Sequence, residues 1–334
     1  MRPLVSVVLP FRNAEATLDR AINSIVQQAF LDWELILVNH ASDDQSAEVA
    51  RRWCRKDQRL RLISDNGVGL VSALNAGLGQ VNAPYVARMD ADDFSYPDRL
   101  MQQYNFLSQH PNVGGVGCQV RYCSSAPPQP GMQAYVTWVN QLVGAEEIWL
   151  NQFVESPLVH PSVMFRTQLL RQYGVYRSGD FPEDYELWLR WLGKGVVLAK
   201  LPSTLLDWYD APARLSRTSQ RYHPDAFYRI KTNYLAHWLQ QHNPFFPDVV
   251  VWGGGRKSRQ RVRWLEAHGI RIRAIIDVVP NKTSTYPCIF YQDITPPGQY
   301  FILSYVGNRG QRDSIRHFLR QRGYVEGKHF LMVA

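Results

Sequence analysis

Apolar residues over the first 120 positions alternate between short unbroken runs and stretches where they recur three and four apart, as buried parallel strands and crossover helices require. Leu4-Val5-Ser6-Val7-Val8-Leu9 is such a run and stops at Pro10. Asn13 is then placed to cap a helix with Leu18, Ile22, Ile25 and Val26 on one face, and residues 34–38 form the next strand. The unit repeats. Ser42 or Asp43 caps a helix through Trp53, 60–63 is a short strand, 71–78 is helical, and 85–89 is a further strand. The pattern predicts an α/β fold built on a doubly wound, mostly parallel sheet.

In such sheets ligands bind beyond the carboxyl ends of the strands. Those ends carry Pro10-Phe11-Arg12-Asn13, Asn39-His40-Ala41-Ser42-Asp43 and Asp90-Ala91-Asp92-Asp93, so three polar clusters converge on one crevice. A Pro-rich loop over 124–134 opens a less regular stretch that reads as the second half of the same domain, and 215–245 reads as a mostly helical connector. A new βαβ unit follows. Residues 249–252 form a strand, Gly253-Gly254-Gly255 a tight turn, 258–268 a helix closed by Gly269, and 270–276 a strand ending at Asp277. The expected organisation is one domain over 1–214, the connector over 215–245, and a small Rossmann-like α/β domain over 246–334.

With 334 residues, 45% apolar and 20% charged, the composition excludes a disordered, collagenous or coiled-coil chain and suits two globular domains. Cys54, Cys118, Cys123 and Cys288 form no Cys-x-x-Cys pair, so reduced thiols are expected and a structural zinc site is not. The N-terminus lacks the apolar core of a signal peptide, and no run approaches the ~20 apolar residues of a membrane span. These features predict a cytoplasmic protein, free or resting on the inner membrane face. The net charge of +8 lies in residues 246–334, which hold 14 Lys/Arg against 6 Asp/Glu. Such a surface suits nucleic acid, an anionic membrane or phosphorylated ligands.

Asp90-Ala91-Asp92-Asp93 sets three carboxylates within four residues at a strand end, where their repulsion calls for a cation. Ligation by oxygen alone suits Mg²⁺ or Mn²⁺, which also take waters and substrate phosphates. A solvated acidic turn ahead of the helix after Pro97 is the plainer alternative.

Five segments together resemble the family 2 glycosyltransferases of the GT-A fold. They are Val7-Val8-Leu9-Pro10-Phe11-Arg12-Asn13, the Ser42 turn after Val38, and Leu74-Asn75-Ala76-Gly77; then Asp90-Ala91-Asp92-Asp93 with Pro97-Asp98-Arg99-Leu100, and Glu183-Asp184-Tyr185-Glu186-Leu187-Trp188. They cover about 1–210. The resemblance implies that Asp90 and Asp92 hold a divalent cation on a nucleotide-diphosphate sugar, Asp92 more directly, and that Asp184 is the base for the acceptor hydroxyl. It implies donor contacts from Pro10, Phe11, Asn13, His40, Asn75 and Asp90, and an acceptor side formed by His160, Glu183 and Trp188. His160 serves there either as pocket lining or as a structural hydrogen-bonding group. Taken without the resemblance, Glu183-Asp184 equally suits acids in a helix first turn, where the dipole favours them.

The chain departs from the family in three places. Asn39-His40-Ala41-Ser42 stands where Asp-Asp-Gly-Ser is usual, so recognition of uracil by a carboxylate is lost; either the imidazole meets another base or stacks, or backbone groups read the base. Leu74 replaces a common Arg. Asp210-Ala211-Pro212 follows Trp208-Tyr209 where an Arg and a His often follow the Tyr, leaving Arg214 or Arg217 to supply positive charge or to be surface arginines. Gln260-Arg261-Val262-Arg263-Trp264 matches a motif of processive synthases, but it falls on the first helix of the second domain and no spanning segment accompanies it. Gly253-Gly254-Gly255 with Asp277 partly meets the dinucleotide fingerprint, and Arg256-Lys257-Ser258 replaces its third glycine. A nucleotide, a sugar phosphate or no ligand fits that turn.

The expected function is an inverting, metal-dependent glycosyltransferase in surface polysaccharide assembly, acting on a glycan or lipid-linked hydroxyl, with no nucleic acid partner. An anionic membrane surface or a partner enzyme would meet the basic domain. The alternatives are an NAD-linked oxidoreductase working through the second domain and a non-catalytic sugar-nucleotide-binding scaffold.

Overall fold

Strand β1 (Val5–Phe11) is buried along its whole length. In the computed structural model, which describes residues 2–124, 127–210, 217, 219–280 and 285–334, alternate side chains feed two cores on opposite faces of one sheet. Val5, Val7, Leu9 and Phe11 enter one core and Val8 the other; in β2 (Trp33–His40), Leu35 and Leu37 part from Ile36 and Val38 in the same way. Burial on both faces is why these strands read as unbroken apolar runs.

β1, β2, β3 (Leu60–Asp65) and β4 (Tyr85–Arg88) are parallel neighbours in the order β3-β2-β1-β4. The sheet continues through β7 (Met164–Arg166), β6 (Val113–Ser124), β8 (Val197–Asp210) and β5 (Phe94–Ser95). β7 is antiparallel to both β4 and β6, and β5 to β8. Helices α1 (Leu18–Val26), α2 (Ser46–Lys56), α4 (Arg99–Gln109) and α5 (Pro130–Gln141) line the first core. Helices α3 (Gly69–Leu78), α7 (Gln168–Tyr173) and α8 (Glu183–Leu192) line the second, and α6 (Ala145–Asn151) lies between α5 and α7 in sequence. α3 lies so close to the sheet that a Cβ on Gly77 would stand 2.6 Å from Val8 Cγ1 and 3.0 Å from Val38 Cγ2, so only glycine fits.

Two helix starts differ from the expectation. α1 begins at Leu18, because Asn13 adopts φ 51° and turns its Oδ1 to the Asp43 N–H at 3.1 Å. α2 begins at Ser46, whose N–H donates to Asp44 Oδ1 at 3.0 Å, so neither Ser42 nor Asp43 caps it. The polar groups after β1 and β2 bond to each other instead of capping their own segments.

Contacts divide the chain into two compact units, Met1–Ile148 with Leu158–Tyr222, and Trp149–Pro157 with His223–Ala334. The second unit contains α9 (Pro224–His242) and a five-stranded parallel sheet. The strands are β9 (Asp248–Trp252), β10 (Arg271–Asp277), β11 (Cys288–Phe290), β12 (Ile302–Ser304) and β13 (Phe330–Met332), in the order β11-β10-β9-β12-β13. α10 (Arg256–Ala267) and α11 (Gln311–Gln321) are its crossover helices, and the Gln260–Trp264 motif lies on α10. Among the described residues no helix is long and apolar enough to cross a membrane, and the four cysteines are free.

Candidate active site

The loops that follow β1 and β2 are tied together at the carboxyl edge of the sheet. The Asn13 N–H donates to Ser42 Oγ at 3.2 Å, the Ala14 N–H to Ser46 Oγ at 2.7 Å, and the Gln45 N–H to Glu15 Oε2 at 2.9 Å. Ala41 also has positive φ, 47°, a strained turn for a residue with a Cβ and one held by these bonds. Pro10 and Phe11 end β1 as buried residues, and Phe11 packs in the core.

β2 and β3 end in register at His40 and Asp65. His40 Nδ1 lies 2.7 Å from Asp65 Oδ2, while Asp65 Oδ1 accepts from Ser72 Oγ at 2.8 Å and from the Gly67 N–H at 3.3 Å. Burial pushes the Asp65 carboxyl up, but the bonds from Ser72, His40 and Gly67 outweigh it and hold it below the ordinary value. An ionised Asp65 accepts a hydrogen bond from His40 Nδ1, which orients the ring and leaves Nε2 as its other polar atom.

Beyond β4, one carboxylate oxygen each of Asp90, Asp92 and Asp93 lie within 4.8 Å of one another. Their surroundings differ. The buried Arg88 reaches Asp90 Oδ1 at 2.5 Å; Asp93 is fully buried and accepts the Tyr209 N–H at 2.9 Å; Asp92 is half-buried. Arg20 donates to the Asp92 carbonyl at 2.6 Å and lies 3.8 Å over the Tyr209 ring, so the backbone of this turn is held independently of the Asp92 side chain. Three carboxylates at this spacing, all oxygen donors, fit a hard divalent cation that fills its shell with waters and a diphosphate. Of the two arginines suggested for the diphosphate, Arg217 pairs with Asp210 and Arg214 lies outside the described residues.

α8 starts with Glu183 and Asp184 in its first turn, where their charge meets the helix dipole. Glu183 is buried, with Tyr222 Oη 3.0 and 2.8 Å from its two oxygens and Arg221 Nη1 3.8 Å away. Asp184 is half-buried and accepts the Tyr185 N–H at 2.7 Å. Burial, then the charges of Glu183 and Asp90, push its carboxyl up to about 7. His160 Nε2 lies 2.7 Å from Tyr176 Oη, and burial, then the Arg88 charge, hold the ring well below its ordinary value and therefore neutral. Asp184 and His160 thus both sense Asp90, which brings the acidic cluster and the start of α8 into one electrostatic neighbourhood.

Asn75 and Trp188 lie beside this neighbourhood in supporting positions. The Asn75 amide donates to the Tyr176 carbonyl at 3.0 Å and accepts its N–H at 3.2 Å, fixing the residue that meets His160. Trp188 is fully buried in the second core, edge-on to His160. The sequence reading missed Asp65, Arg88, Tyr176 and Tyr222. Asp65 carried a partial signal, a carboxylate two residues past the predicted strand 60–63, and Arg88 lies two residues before its partner Asp90; Tyr176 and Tyr222 show themselves only through partners distant in sequence.

Residues 6–174 match the protein-family description "Glycosyl transferase family 2". The chain is similar to the putative glycosyltransferase EpsE of Bacillus subtilis, 32% identical over 208 residues, covering 58% of this chain and 68% of EpsE. It is similar to the amylovoran biosynthesis glycosyltransferase AmsE of Erwinia amylovora, 29% identical over 208 residues, covering 61% and 75%. Among solved structures, S. aureus TarS with UDP-GlcNAc superposes with a TM-score of 0.54 at 16% identity over 80% of this chain and 71% of that one. The mannosyltransferase PcManGT of Pyrobaculum calidifontis, with GDP-Man and Mn²⁺, gives 0.52 at 22% identity over 72% and 64%. At these identities the two structures speak for the fold.

Proposed function

The chain belongs to glycosyl transferase family 2 and is a glycosyltransferase, and on that premise we propose that it moves a sugar, with inversion, from a nucleotide-diphosphate sugar to a hydroxyl of a glycan or lipid-linked acceptor. The observation that carries the reading is the convergence of Asp90, Asp92 and Asp93 with an Asp184 whose carboxyl is raised to about 7. Asp90 and Asp92 would hold a divalent cation, which when bound neutralises the charge that develops on the departing diphosphate. The Mn²⁺ and GDP-Man in the mannosyltransferase neighbour support that expectation. Asp184 takes the proton of the acceptor hydroxyl onto a carboxylate oxygen, while Tyr222 and Arg221 hold Glu183 beside it. Attack from the face opposite the diphosphate inverts the anomeric carbon. The amylovoran biosynthesis in the name of AmsE supports a role in polysaccharide biosynthesis. The test is release of nucleoside diphosphate from a panel of nucleotide sugars with and without Mn²⁺; no turnover of any donor under either condition would reject it.

The raised carboxyl of Asp184 sets a pH dependence. A base must be ionised to accept a proton, so kcat/KM should fall by about tenfold per unit as pH drops below the Asp184 midpoint. That midpoint should lie below 7 when a divalent cation offsets Asp90, one of the charges that raise it. A profile measured from pH 5 to 9 that stays flat to pH 5 would remove Asp184 as the base.

We also assign base selection to His40, oriented by Asp65. Exchanging an imidazole for a carboxylate alters which base edge is satisfied, so His40→Asp should change the ratio of uridine to guanosine diphosphate affinities by about tenfold or more. Titration calorimetry with both nucleotides checks this, and an unchanged ratio would place base reading elsewhere.

A further inference from the structure

The second unit holds a cluster of basic side chains that sugar transfer does not use. Tyr228 on α9 lies between two of them, with Lys231 Nζ 3.7 Å and the Arg261 guanidinium 3.5 Å from its ring centre. Arg309 and Arg312 share one carboxylate oxygen of Glu155, at 3.3 and 3.9 Å. Lys231 is buried and donates to the Phe153 and Val154 carbonyls; burial and the Arg261 charge push its ammonium well below the ordinary value. Arg312 is 4% exposed, and its Nε has no hydrogen-bond partner among the described residues. The same holds for the hydroxyl of Tyr305, 2% exposed, which interacts electrostatically with Tyr228 and Arg261. Two buried donors without acceptors among the described residues, Arg312 Nε and the Tyr305 hydroxyl, set among further guanidinium groups, mark a place that an anion would satisfy.

The location suits one. β9 and β12 are neighbours whose connections leave toward opposite edges of the sheet, β9 to β10 and β12 to β13, and this is the switch point where ligands of such sheets bind. β9 runs into Gly253-Gly254-Gly255 and the start of α10; β12 runs into Tyr305 and the exposed Gly307, where an added Cβ would stand 4.0 Å from Arg261 Nη1. A dinucleotide is disfavoured. The two oxygens of Asp277 accept the Gly254 and Val279 N–H groups, each at 3.0 Å, so this acid serves the turn rather than a ribose.

We propose that the second unit binds a phosphate-bearing anion at the carboxyl ends of β9 and β12, held by Arg261, Arg309, Arg312 and the Tyr305 hydroxyl. The site is independent of the donor site, which needs a divalent cation. Calorimetry on the full chain with inorganic pyrophosphate in EDTA tests it, alongside co-sedimentation with phosphatidylcholine vesicles with and without phosphatidic acid. Metal-independent pyrophosphate binding is expected, weakened about tenfold or more by Arg309→Gln and further by Arg261→Gln with Arg309→Gln, and unaffected by Asp92→Ala. Arg309 is partly exposed on a loop, so its variant keeps the fold. Binding to phosphatidic acid vesicles alone, with the same losses, would assign the phosphate to a lipid headgroup. Binding that survives the arginine variants, that Asp92→Ala abolishes, or that fails in both arms would overturn the proposal.

Discussion

Replacing Asp184 by Asn is expected to lower the transfer rate by about 10²–10⁴-fold while leaving donor affinity nearly unchanged. Asn keeps the size of the side chain and the carbonyl oxygen that accepts the Tyr185 N–H at 2.7 Å, so the first turn of α8 persists. What would be lost is the charge that the proposed proton transfer from the attacking hydroxyl requires. The substitution also relieves repulsion among Asp184, Glu183 and Asp90, two of the causes that raise the Asp184 carboxyl, so folding stability should not fall. Single-turnover rates and donor titrations on the same variant separate the two quantities. A variant that transfers within about tenfold of the parent would show that the proton leaves by another route.

Asp92→Ala is expected to act on the other partner of the reaction. Its loss should cost about 100-fold or more in kcat/KM and remove most of the metal dependence of donor binding, as expected when a cation supplies several kcal/mol of charge stabilisation. The three acids are unequal by their surroundings. Asp90 shares its charge with Arg88 at 2.5 Å, Asp93 is buried with an oxygen on the Tyr209 N–H, and Asp92 is the acid for which direct ligation is proposed. The turn should survive the truncation, since Arg20 grips the Asp92 carbonyl. Donor titrations with and without Mn²⁺ decide it. If Asp92→Ala and Asp184→Asn lose donor affinity and turnover in equal measure, the two roles assigned to them are wrong.

Much of this site is legible along the chain. The unbroken run at residues 4–9 announces a strand buried on both faces, and the strands at 34–38 and 85–89 follow the same logic, so the polar residues just past them mark the crevice. The three acids fall within four residues and need no fold to be seen. The helix starts were misread because Asn13, Ser42 and Asp43 have two competing uses for their polar atoms, and bonding between the two loops prevails over capping. His40 was visible as a departure, but its partner was not.

What the amino-acid sequence determines by itself is therefore the alternation of elements, the sheet type, the edge where chemistry is concentrated, and the acids available there. These follow from periodicity and from neighbours a few residues apart. The tertiary structure decides how those groups are poised. It joins His40 to Asp65 across 25 residues through the register of β2 and β3, and Glu183 to Tyr222 across 39. It partly withdraws Asp184 from solvent and sets the charges of Glu183 and Asp90 near it, which raises its carboxyl toward neutrality. In the second unit it sets Arg309 and Arg312 against Glu155 and Arg261 over the Tyr228 ring. Charge interactions and hydrogen bonds depend on distance in space, and only the folded sheet brings residues this far apart in sequence to within a few ångströms.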